Sequence, residues 1–377
     1  MDIAASKKHQ RKKIKRTQCD FTILFTVCLL VLFGVIMIFS SSYYYALNNY
    51  NDMYHFLKRQ ILWSMIGFCA MIFMMNYDYK NLKIWAVPLY LISQVLLVLV
   101  LFLGKEVKGQ KRWFGFGTVG FQPSELAKLT LIFFLAFLIV YNHNKLKKFT
   151  GLLFYLIFIA VPVVLIGIAN LSTAIVVLFI GVAMLFVASP KVWYFFVFAI
   201  PVAAFGAVAV MLPQFAYRLS RIQIWKDPWI DPTGKGYQPI QSLYAVGSGG
   251  LFGLGLGESR QKLGFIPEAH NDIIFAIVCE ELGLIGAAVL LSLFLVLIWR
   301  GIKVSMNAPD LFGSLVSIGI VCMIGIQVLI NVAVITKTIP TTGMPLPFIS
   351  YGGSSLLFTM AAMGILLNIS RYSKLNK

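Results

Sequence analysis

The sequence predicts an all-α polytopic membrane protein, a helical bundle with about ten transmembrane helices and a large outer loop between the seventh and eighth. The chain is 59% hydrophobic and only 12% charged, with a mean hydropathy of +0.84. Soluble domains carry about 25% charged residues. Apolar runs recur along nearly the whole chain, each long enough to cross a hydrocarbon core of about 30 Å.

Ten of these runs are predicted membrane spans, joined mostly by short connectors. They cover residues 21–43, 58–76, 82–103, 124–142, 152–168, 172–188, 191–211, 273–299, 310–336 and 353–370. We expect a cytoplasmic basic tail over 1–19, one transmembrane domain over 20–370 with its long extracellular loop at 212–272, and a cytoplasmic tail over 371–377.

Much of the net charge of +18 lies next to the first predicted span, which favours contact with a membrane over binding of nucleic acid. Seven Lys and Arg residues lie in the first 16 positions. Basic residues flanking a first span are typical of the cytoplasmic side. We therefore expect a multi-pass membrane protein with both termini inside the cell and no nucleic-acid partner.

The first outer segment precedes the span at 124–142 and contains glycines, which argue against a regular helix. Ser124 is predicted to cap the following helix. Glu125 and Lys128 are three residues apart and share one helix face, so they can pair. Two interpretations stay open. The segment is either a capped span with an interfacial Trp113 and a snorkelling ion pair, or a cavity wall in which Arg112 holds a phosphate.

The long outer loop carries two arginines and a glycine-rich run. Arg218 and Arg221 either steer a pyrophosphate or are solvated loop charges. The glycines at 247–257 lack the Lys-Ser/Thr ending of a nucleotide-binding loop. We predict that they permit tight turns or a close approach of the backbone to a ligand.

Asp272 stands directly before a long apolar run, at the predicted outer boundary of the membrane. It is either a helix N-cap or a general base beside a cleft. His270 is a candidate neighbour. Glu280 and Glu281 follow in the same helix, where intramembrane carboxylates suggest function unless they bond to neighbouring helices or lie nearer the interface.

The last outer segment, 338–355, holds three prolines and three glycines and must be irregular. Irregular backbone at membrane depth has to be buried in protein or line a cavity, so we predict a re-entrant element. Gln327 and Asn331, on one face of the preceding span, are candidates to satisfy its backbone.

Three segments resemble the signature sequences of the SEDS family of shape, elongation, division and sporulation proteins, which includes FtsW, RodA and SpoVE. They are RWFGFGTVGFQPSELAKL, GKGYQPIQSLYAVGSGGLFGLGLGESRQKLGFIPEAHNDIIFAIVCEELGLIG and IPTTGMPLPFISYGGSS. The resemblance spans nearly the whole chain, and the SRQK run is more similar to the FtsW/SpoVE branch. The chain departs at Asn170, where members often carry Asp.

The resemblance implies a peptidoglycan glycosyltransferase that polymerises lipid II into β-1,4 glycan strands at the outer face of the cytoplasmic membrane, in division or sporulation. It places the family's essential aspartate on Asp272, and its outer Arg, Glu and Lys on Arg112, Glu125 and Lys128. The remaining candidate substrate-binding residues are Arg218, Arg221, Gln241, Glu268, His270, Ser350 and Ser354.

The same resemblance implies an inverting transfer and a class B penicillin-binding protein as transpeptidase partner, beside other division or sporulation membrane proteins. A divalent cation, Mg or Mn, is a candidate cofactor, with Asp272 as the candidate ligand. Two alternatives belong to other classes: a transporter that flips lipid II between leaflets, and a membrane scaffold of the division machinery.

Overall fold

The computed structural model describes residues 18–107, 110–116, 119–191, 193–195 and 216–373. This part of the chain contains nine helices that are long and apolar enough to cross a membrane. Two shorter helices, α7 and α8, lie between the sixth and seventh of them. The helices are α1 Phe21–Tyr50, α2 His55–Asn76, α3 Leu82–Leu103, α4 Pro123–Tyr141, α5 Phe149–Ala169, α6 Leu171–Ala188, α7 Ala216–Lys226, α8 Tyr237–Ser248, α9 Ile274–Met306, α10 Leu311–Ile335 and α11 Gly353–Ser370.

Nine of the ten predicted spans thus coincide with long helices, and the predicted span 191–211 lies mainly outside the described residues. Two helices are longer than predicted by six residues or more. α1 has 30 residues and α9 has 33, which at 1.5 Å per residue gives lengths of about 45 and 50 Å. Both therefore extend beyond a hydrocarbon core of about 30 Å.

Polar contacts tie the helices together at one end of the bundle, here called the lower end. The carboxylate of Asp20 caps α1 and pairs with Arg300 at 2.6 Å, while its backbone N–H donates to the hydroxyl of Ser370. Asp310 caps α10 and accepts a hydrogen bond from the Tyr79 hydroxyl. The opposite, upper end carries the segments 44–56, 103–123, 216–273 and 336–352.

The first of the long connecting segments at the upper end is a three-stranded antiparallel sheet. Its strands are β1 Lys105–Val107, β2 Gln110–Phe116 and β3 Val119–Phe121, in the order β1-β2-β3. Gly115 and Gly120 are paired across β2 and β3, and the ring of Trp113 covers Gly120. The all-α prediction is confirmed for the bundle, and this small sheet is an addition that it did not contain.

The segment between α10 and α11 re-enters the bundle without helical structure, as predicted. Leu346, Phe348 and Ile349 are buried. A Cβ atom at Gly34 of α1 would lie 2.3 Å from the carbonyl oxygen of Phe348. The amide of Asn331 donates to the carbonyl of Met344 at 2.7 Å. The missing Cβ at Gly34 lets this irregular backbone lie directly on α1.

Gly34→Ala is expected to destabilise the protein by about 1–3 kcal/mol, the usual cost of forcing an extra methyl into a packed core. The added Cβ meets backbone atoms, which cannot rotate away as a side chain can. Gly325→Ala on α10 is the matched control, because a Cβ there meets only the Ile298 side chain at an ordinary 3.5 Å. Thermal unfolding of the detergent-solubilised variants measures the difference, and equal midpoints for both would contradict the expectation.

Candidate functional site

The upper part of α9 is interrupted, and the interruption anchors the glycine-rich run. Gly283 has φ 64° and ψ −166°, which breaks the helix after its first nine residues. Backbone N–H groups of residues 254 and 255 donate to the carbonyls of 280 and 281, and those of 284 and 285 donate to the carbonyls of 250 and 251. The run therefore supplies the hydrogen bonds that the broken helix lacks.

The glycines of this run are needed for that contact. A Cβ at Gly253, where φ is +81°, would lie 2.2 Å from the carbonyl oxygen of Glu281. The close backbone approach predicted from the glycines is confirmed, but at Gly253 the partner is α9 and not a ligand. The reason is local, because an interrupted helix exposes backbone groups that buried structure must satisfy.

Two adjacent carboxylates just above the break are buried and fully engaged by other elements. Glu280 accepts hydrogen bonds from the Ser259 hydroxyl and from the backbone N–H groups of residues 260 and 261. Glu281 pairs with Lys262 at 2.6 Å and accepts from Ser40 of α1 at 2.7 Å. Of the alternatives left open for these glutamates, bonding to neighbouring structure is the one observed.

Asp272 lies two residues before α9 and does not cap it. The helix begins at Ile274, its N-cap position is Ile273, and no side chain accepts a capping hydrogen bond there. The N-cap interpretation is therefore wrong. The side chain of Asp272 is half-buried, and its Oδ2 would be 3.4 Å from a Cβ at Gly343. The carboxylate thus faces the re-entrant segment.

A narrow cleft of about 30 Å³, lined by polar and apolar residues, surrounds this carboxylate. One wall is α8, another is the re-entrant segment, and α10 closes the floor. Asn331 of α10 donates to the backbone carbonyl of Asp272 at 2.8 Å and so fixes the main chain beside it. The lining residues are Gln238, Pro239, Ser242, Asp272, Ile273, Asn331, Val334, Ile335, Lys337, Thr341, Gly343 and Met344.

The helix α7 places one predicted arginine at the rim of this cleft. Arg221 donates to the backbone carbonyl of Thr341 at 3.3 Å, and its side chain is exposed. Trp225 donates to the carbonyl of Lys337 at 2.9 Å. Arg218 lies in the same helix, but its side chain is outside the described residues. Arg221 is therefore close enough to meet a charged group that enters from above.

Several other predicted residues support the chain around Asp272 and do not line the cleft. His270 is buried, and its ring packs on Phe56 with 4.2 Å between centroids. Glu268, with φ 50°, accepts a hydrogen bond from Asn271. Gln241 is half-buried on α8, three residues beyond the cleft-lining Gln238.

The two predicted serines also lie in supporting positions. Ser350 accepts a hydrogen bond from the backbone N–H of Leu346 and closes a turn of the re-entrant segment. Ser354 is buried in the first turn of α11, and its hydroxyl has no hydrogen-bond partner among the described residues. Burial raises the pKa of the neighbouring Tyr351, opposed by a hydrogen bond from Arg59.

The predicted ion pair on α4 is confirmed, and it is buried. Lys128 and Glu125 lie 2.8 Å apart, with side-chain exposures of 2% and 7%. The snorkelling interpretation is therefore wrong. Ser124 is not the N-cap, because Pro123 occupies the first helical position and Gln122 is the cap residue. Arg112 donates from Nε to the carbonyl of Ala169 at the end of α5, where the helix dipole favours a cation.

The ion pair of α4 and the polar side chains in the upper half of α10 lie at similar heights in the bundle. The two helices pack where Gly319 meets Ile132. Glu125 is seven residues above Ile132, and Gln327 is eight above Gly319, so both lie about 10–12 Å higher by helical rise. Gln327 has a buried amide nitrogen with no partner among the described residues. The prediction for Asn331 is thus confirmed, while no such bond is seen for Gln327.

Residues that sequence reasoning missed include Lys262, Ser40, Gln238, Ser242 and Thr341. Lys262 and Ser40 are 222 positions apart in the chain, and no local pattern relates them. The available signal was limited to two consecutive glutamates in an apolar helix, which require partners but do not identify them. Within the described ranges, no group of three or more His, Cys, Asp or Glu side chains could hold a metal ion.

Together, these features define a polytopic membrane protein with a candidate active site, built around one carboxylate, at the upper end of its bundle. A sequence profile described as cell cycle protein, FtsW/RodA/SpoVE, matches residues 20–375. The chain belongs to this family.

The relatives span the whole chain. It is 44% identical over 372 residues to the stage V sporulation protein E of Bacillus subtilis (strain 168), covering 96% of this chain and 99% of that protein. It is 41% identical over 355 residues to the probable peptidoglycan glycosyltransferase FtsW of Geobacter sp. (strain M18), covering 93% and 96%. The predicted similarity to the FtsW/SpoVE branch agrees with these relatives.

Solved structures share the fold. A chain from a peptidoglycan synthase complex, studied for the coordination of polymerization and crosslinking, is similar with a TM-score of 0.79 and 30% identity, covering 95% of this chain and 99% of the other. The rod shape determining protein RodA of Thermus thermophilus is similar with a TM-score of 0.68 and 27% identity, covering 94% and 98%.

Proposed function

We propose that this chain is a peptidoglycan glycosyltransferase that polymerises lipid II into β-1,4 glycan strands at the outer face of the cytoplasmic membrane, in cell division or sporulation. The observation that carries the proposal is the carboxylate of Asp272, which lines a cleft at one end of a membrane bundle. The relatives at 44% and 41% identity support the activity and the two cellular roles.

In this mechanism Asp272 acts as general base. It takes the proton from the 4-hydroxyl of the acceptor's N-acetylglucosamine, and that oxygen attacks the anomeric carbon of the donor's N-acetylmuramic acid. The bond to undecaprenyl pyrophosphate breaks, and the α-linked donor becomes β-linked. A single displacement with inversion requires one base and no covalent intermediate. A well-placed base contributes about 10²–10⁴-fold to the rate.

The departing pyrophosphate develops negative charge that cationic groups stabilise. Arg221 is the strongest candidate among the described side chains because its guanidinium reaches Thr341 at the rim of the cleft. Arg218 and Arg112 remain candidates of the same kind. A divalent cation, Mg or Mn, would find Asp272 as its protein ligand and would depend on substrate oxygens for the rest, since hard cations prefer oxygen ligands.

The cleft must widen before it admits a saccharide. Its volume of about 30 Å³ is well below the roughly 300–1,000 Å³ of typical ligand sites. The walls that face each other are α8 and the re-entrant segment, and the two belong to separate connecting segments of the upper end. We therefore propose that α8 and the re-entrant segment move apart when the substrate enters.

The charge distribution supports an outward-facing upper end. The basic tail precedes α1 at the lower end, and Lys80, Lys83, Arg300, Lys303 and Arg371 lie in or next to lower-end connectors. Such residues are enriched on the cytoplasmic side. Both termini are then cytoplasmic, in an inner membrane, and Asp272 faces the outside, where glycan strands are assembled.

A class B penicillin-binding protein is the proposed partner and supplies the transpeptidase. Support comes from the related chain that was solved within a peptidoglycan synthase complex. Other membrane proteins of division or sporulation are further partners in this proposal. A transpeptidase in the same complex would cross-link strands as they leave the polymerase.

The decisive experiment uses the full chain in phospholipid vesicles with labelled lipid II and candidate transpeptidases. We expect a ladder of glycan strands, absent with Asp272→Asn. Movement of the label between leaflets without polymer would instead identify a transporter. Neither polymer nor movement with any partner would leave the scaffold as the remaining class.

A further inference from the structure

The segment that delivers Asp272 is a closed loop on α9. It leaves the break near Gly283 at residue 255 and returns to the start of the same helix at residue 273. We call residues 256–272 the arm. Two hydrogen bonds hold the end of the arm. The amide of Asn331 donates to the backbone carbonyl of Asp272, and the backbone N–H of Tyr351 donates to the carbonyl of His270. The first half of the arm is held by Glu280, which accepts hydrogen bonds from the Ser259 hydroxyl and from the backbone N–H groups of residues 260 and 261. A further anchor lies directly beside these contacts.

This further anchor consists of Ser40, Lys262 and Glu281, here called the carboxylate clamp. Lys262 lies in the arm, Glu281 in α9 and Ser40 in α1. Lys262 is 2.6 Å from Glu281 and donates to Ser40 at 3.1 Å, and the two charged side chains are 1% and 0% exposed. The ammonium of Lys262 also lies 5.0 Å from the ring centroid of Tyr43. The clamp therefore joins the arm to two membrane helices.

The position of the clamp along α1 agrees with a reaction at the membrane boundary. Ser40 is nineteen residues along α1 from Phe21, which places it about 29 Å above the start of that helix. This is close to the thickness of the hydrocarbon core, about 30 Å. The clamp thus holds the arm at the boundary where a lipid-linked sugar would meet Asp272.

Stability alone is a weak explanation for the clamp. Removing two charges from water is costly, and apolar side chains of similar volume often replace a buried ion pair without loss of stability. An apolar pair does not form directional bonds. Charged partners joined by hydrogen bonds hold the arm at one register on α1 and α9, whereas apolar contacts tolerate sliding.

We infer that the carboxylate clamp is a positioning device for the transfer reaction: Lys262, Glu281 and Ser40 hold the arm so that Asp272 meets the acceptor hydroxyl. None of the three touches the reacting atoms. The inference rests on the proposed function, because it assumes that Asp272 is the base. A misplacement of about 1 Å in a reacting group costs roughly 100-fold in rate, so a loosened arm slows chemistry more than binding.

The test measures kcat and KM for lipid II with the full chain in vesicles, together with the transpeptidase that gives the wild type its highest turnover. Lys262→Met and Glu281→Gln are each expected to lower kcat about 100-fold, with KM within a few-fold of wild type. The charge-swapped variant with both Lys262→Glu and Glu281→Lys should regain at least tenfold over the single variants. The hydroxyl of Ser40 can bond to the wild-type pair and to the charge-swapped pair, because a hydroxyl both donates and accepts hydrogen bonds.

The matched control is the ion pair between Asp20 and Arg300 at the lower end, which also ties α1 to α9. Asp20→Asn and Arg300→Met should lower thermal stability to a similar extent and leave kcat per folded molecule unchanged. Ser40→Ala covers the case in which a charged-residue variant does not fold. It keeps the ion pair and should lower kcat several-fold with an unchanged unfolding midpoint.

Clamp variants that retain the wild-type kcat, or that lose activity only in proportion to their folded fraction, would overturn the inference. A folded charge-swapped variant as inactive as the single variants would do the same, because pairing would then not be what matters. Wild-type polymerisation that Asp272→Asn abolishes establishes the proposed function separately, so either result would refute the clamp alone.

Discussion

Asp272→Asn is expected to reduce glycan polymerisation by about 10²–10⁴-fold while the protein folds normally. Asparagine has nearly the same shape as aspartate but cannot take the proton from the acceptor hydroxyl. We expect folding to be spared, because the substitution keeps the size and hydrogen-bonding capacity of the side chain, and because the contact to Asn331 is made by the backbone carbonyl of Asp272. Initial rates from labelled lipid II in vesicles, compared at equal amounts of folded protein, measure the effect.

Asp227→Asn provides a chemically matched control for this experiment. Asp227 is a carboxylate in the same long loop, and its side chain accepts a hydrogen bond from the backbone N–H of Trp229. An asparagine oxygen can accept the same bond, so activity should stay close to wild type. Undiminished polymer from Asp272→Asn would remove the proposed base, whatever the behaviour of the control.

Lys128→Met is expected to destabilise the protein by about 3–5 kcal/mol, because it leaves the buried Glu125 without its counter-charge. The double variant with Glu125→Gln removes that unpaired charge and should recover most of the loss. The midpoint of thermal unfolding in detergent measures stability, and polymerisation per folded molecule measures function. Lys58→Met is the control, because Lys58 and its partner Asp52 form an exposed pair.

The double variant decides whether the pair has only a structural role or is also needed for the reaction. If stability and activity both recover, the pair supports the bundle and nothing more. If stability recovers and polymerisation does not, the two charges are needed for the reaction and not only for the fold. A stable Lys128→Met variant would contradict the burial of Glu125 on which the prediction depends.

Local features of the site were predictable because they depend on residues close together in the chain. Glu125 and Lys128 pair across one helical turn, which their spacing of three dictates. The prolines and glycines of the re-entrant segment exclude a regular helix, and Asn331 does bond to it. At the departure from the family pattern, Asn170 caps α6, a local role that asparagine fulfils well.

Predictions were wrong or incomplete where a neighbouring or a distant residue decides the outcome. Ser124 fits an N-cap by local rules, yet Pro123 starts α4 and Gln122 takes the cap position. Asp272 is also a good N-cap by type, but the carbonyl bond from Asn331 holds the chain so that α9 begins two residues later. Arg112 also contacts the end of α5, 57 positions away, which no sequence pattern relates to it, and its role at a phosphate stays a prediction.

The sequence by itself determined the membrane architecture, the segments that lie between spans and the candidate carboxylate. Hydropathy and spacing are local properties, and a bilayer makes them decisive because every backbone group inside it must be bonded within the protein. Only the tertiary structure decided which side chains surround Asp272 and which hold its arm. Those contacts join α1, α9, α10 and the long loop across hundreds of positions, so they exist only once the helices have packed.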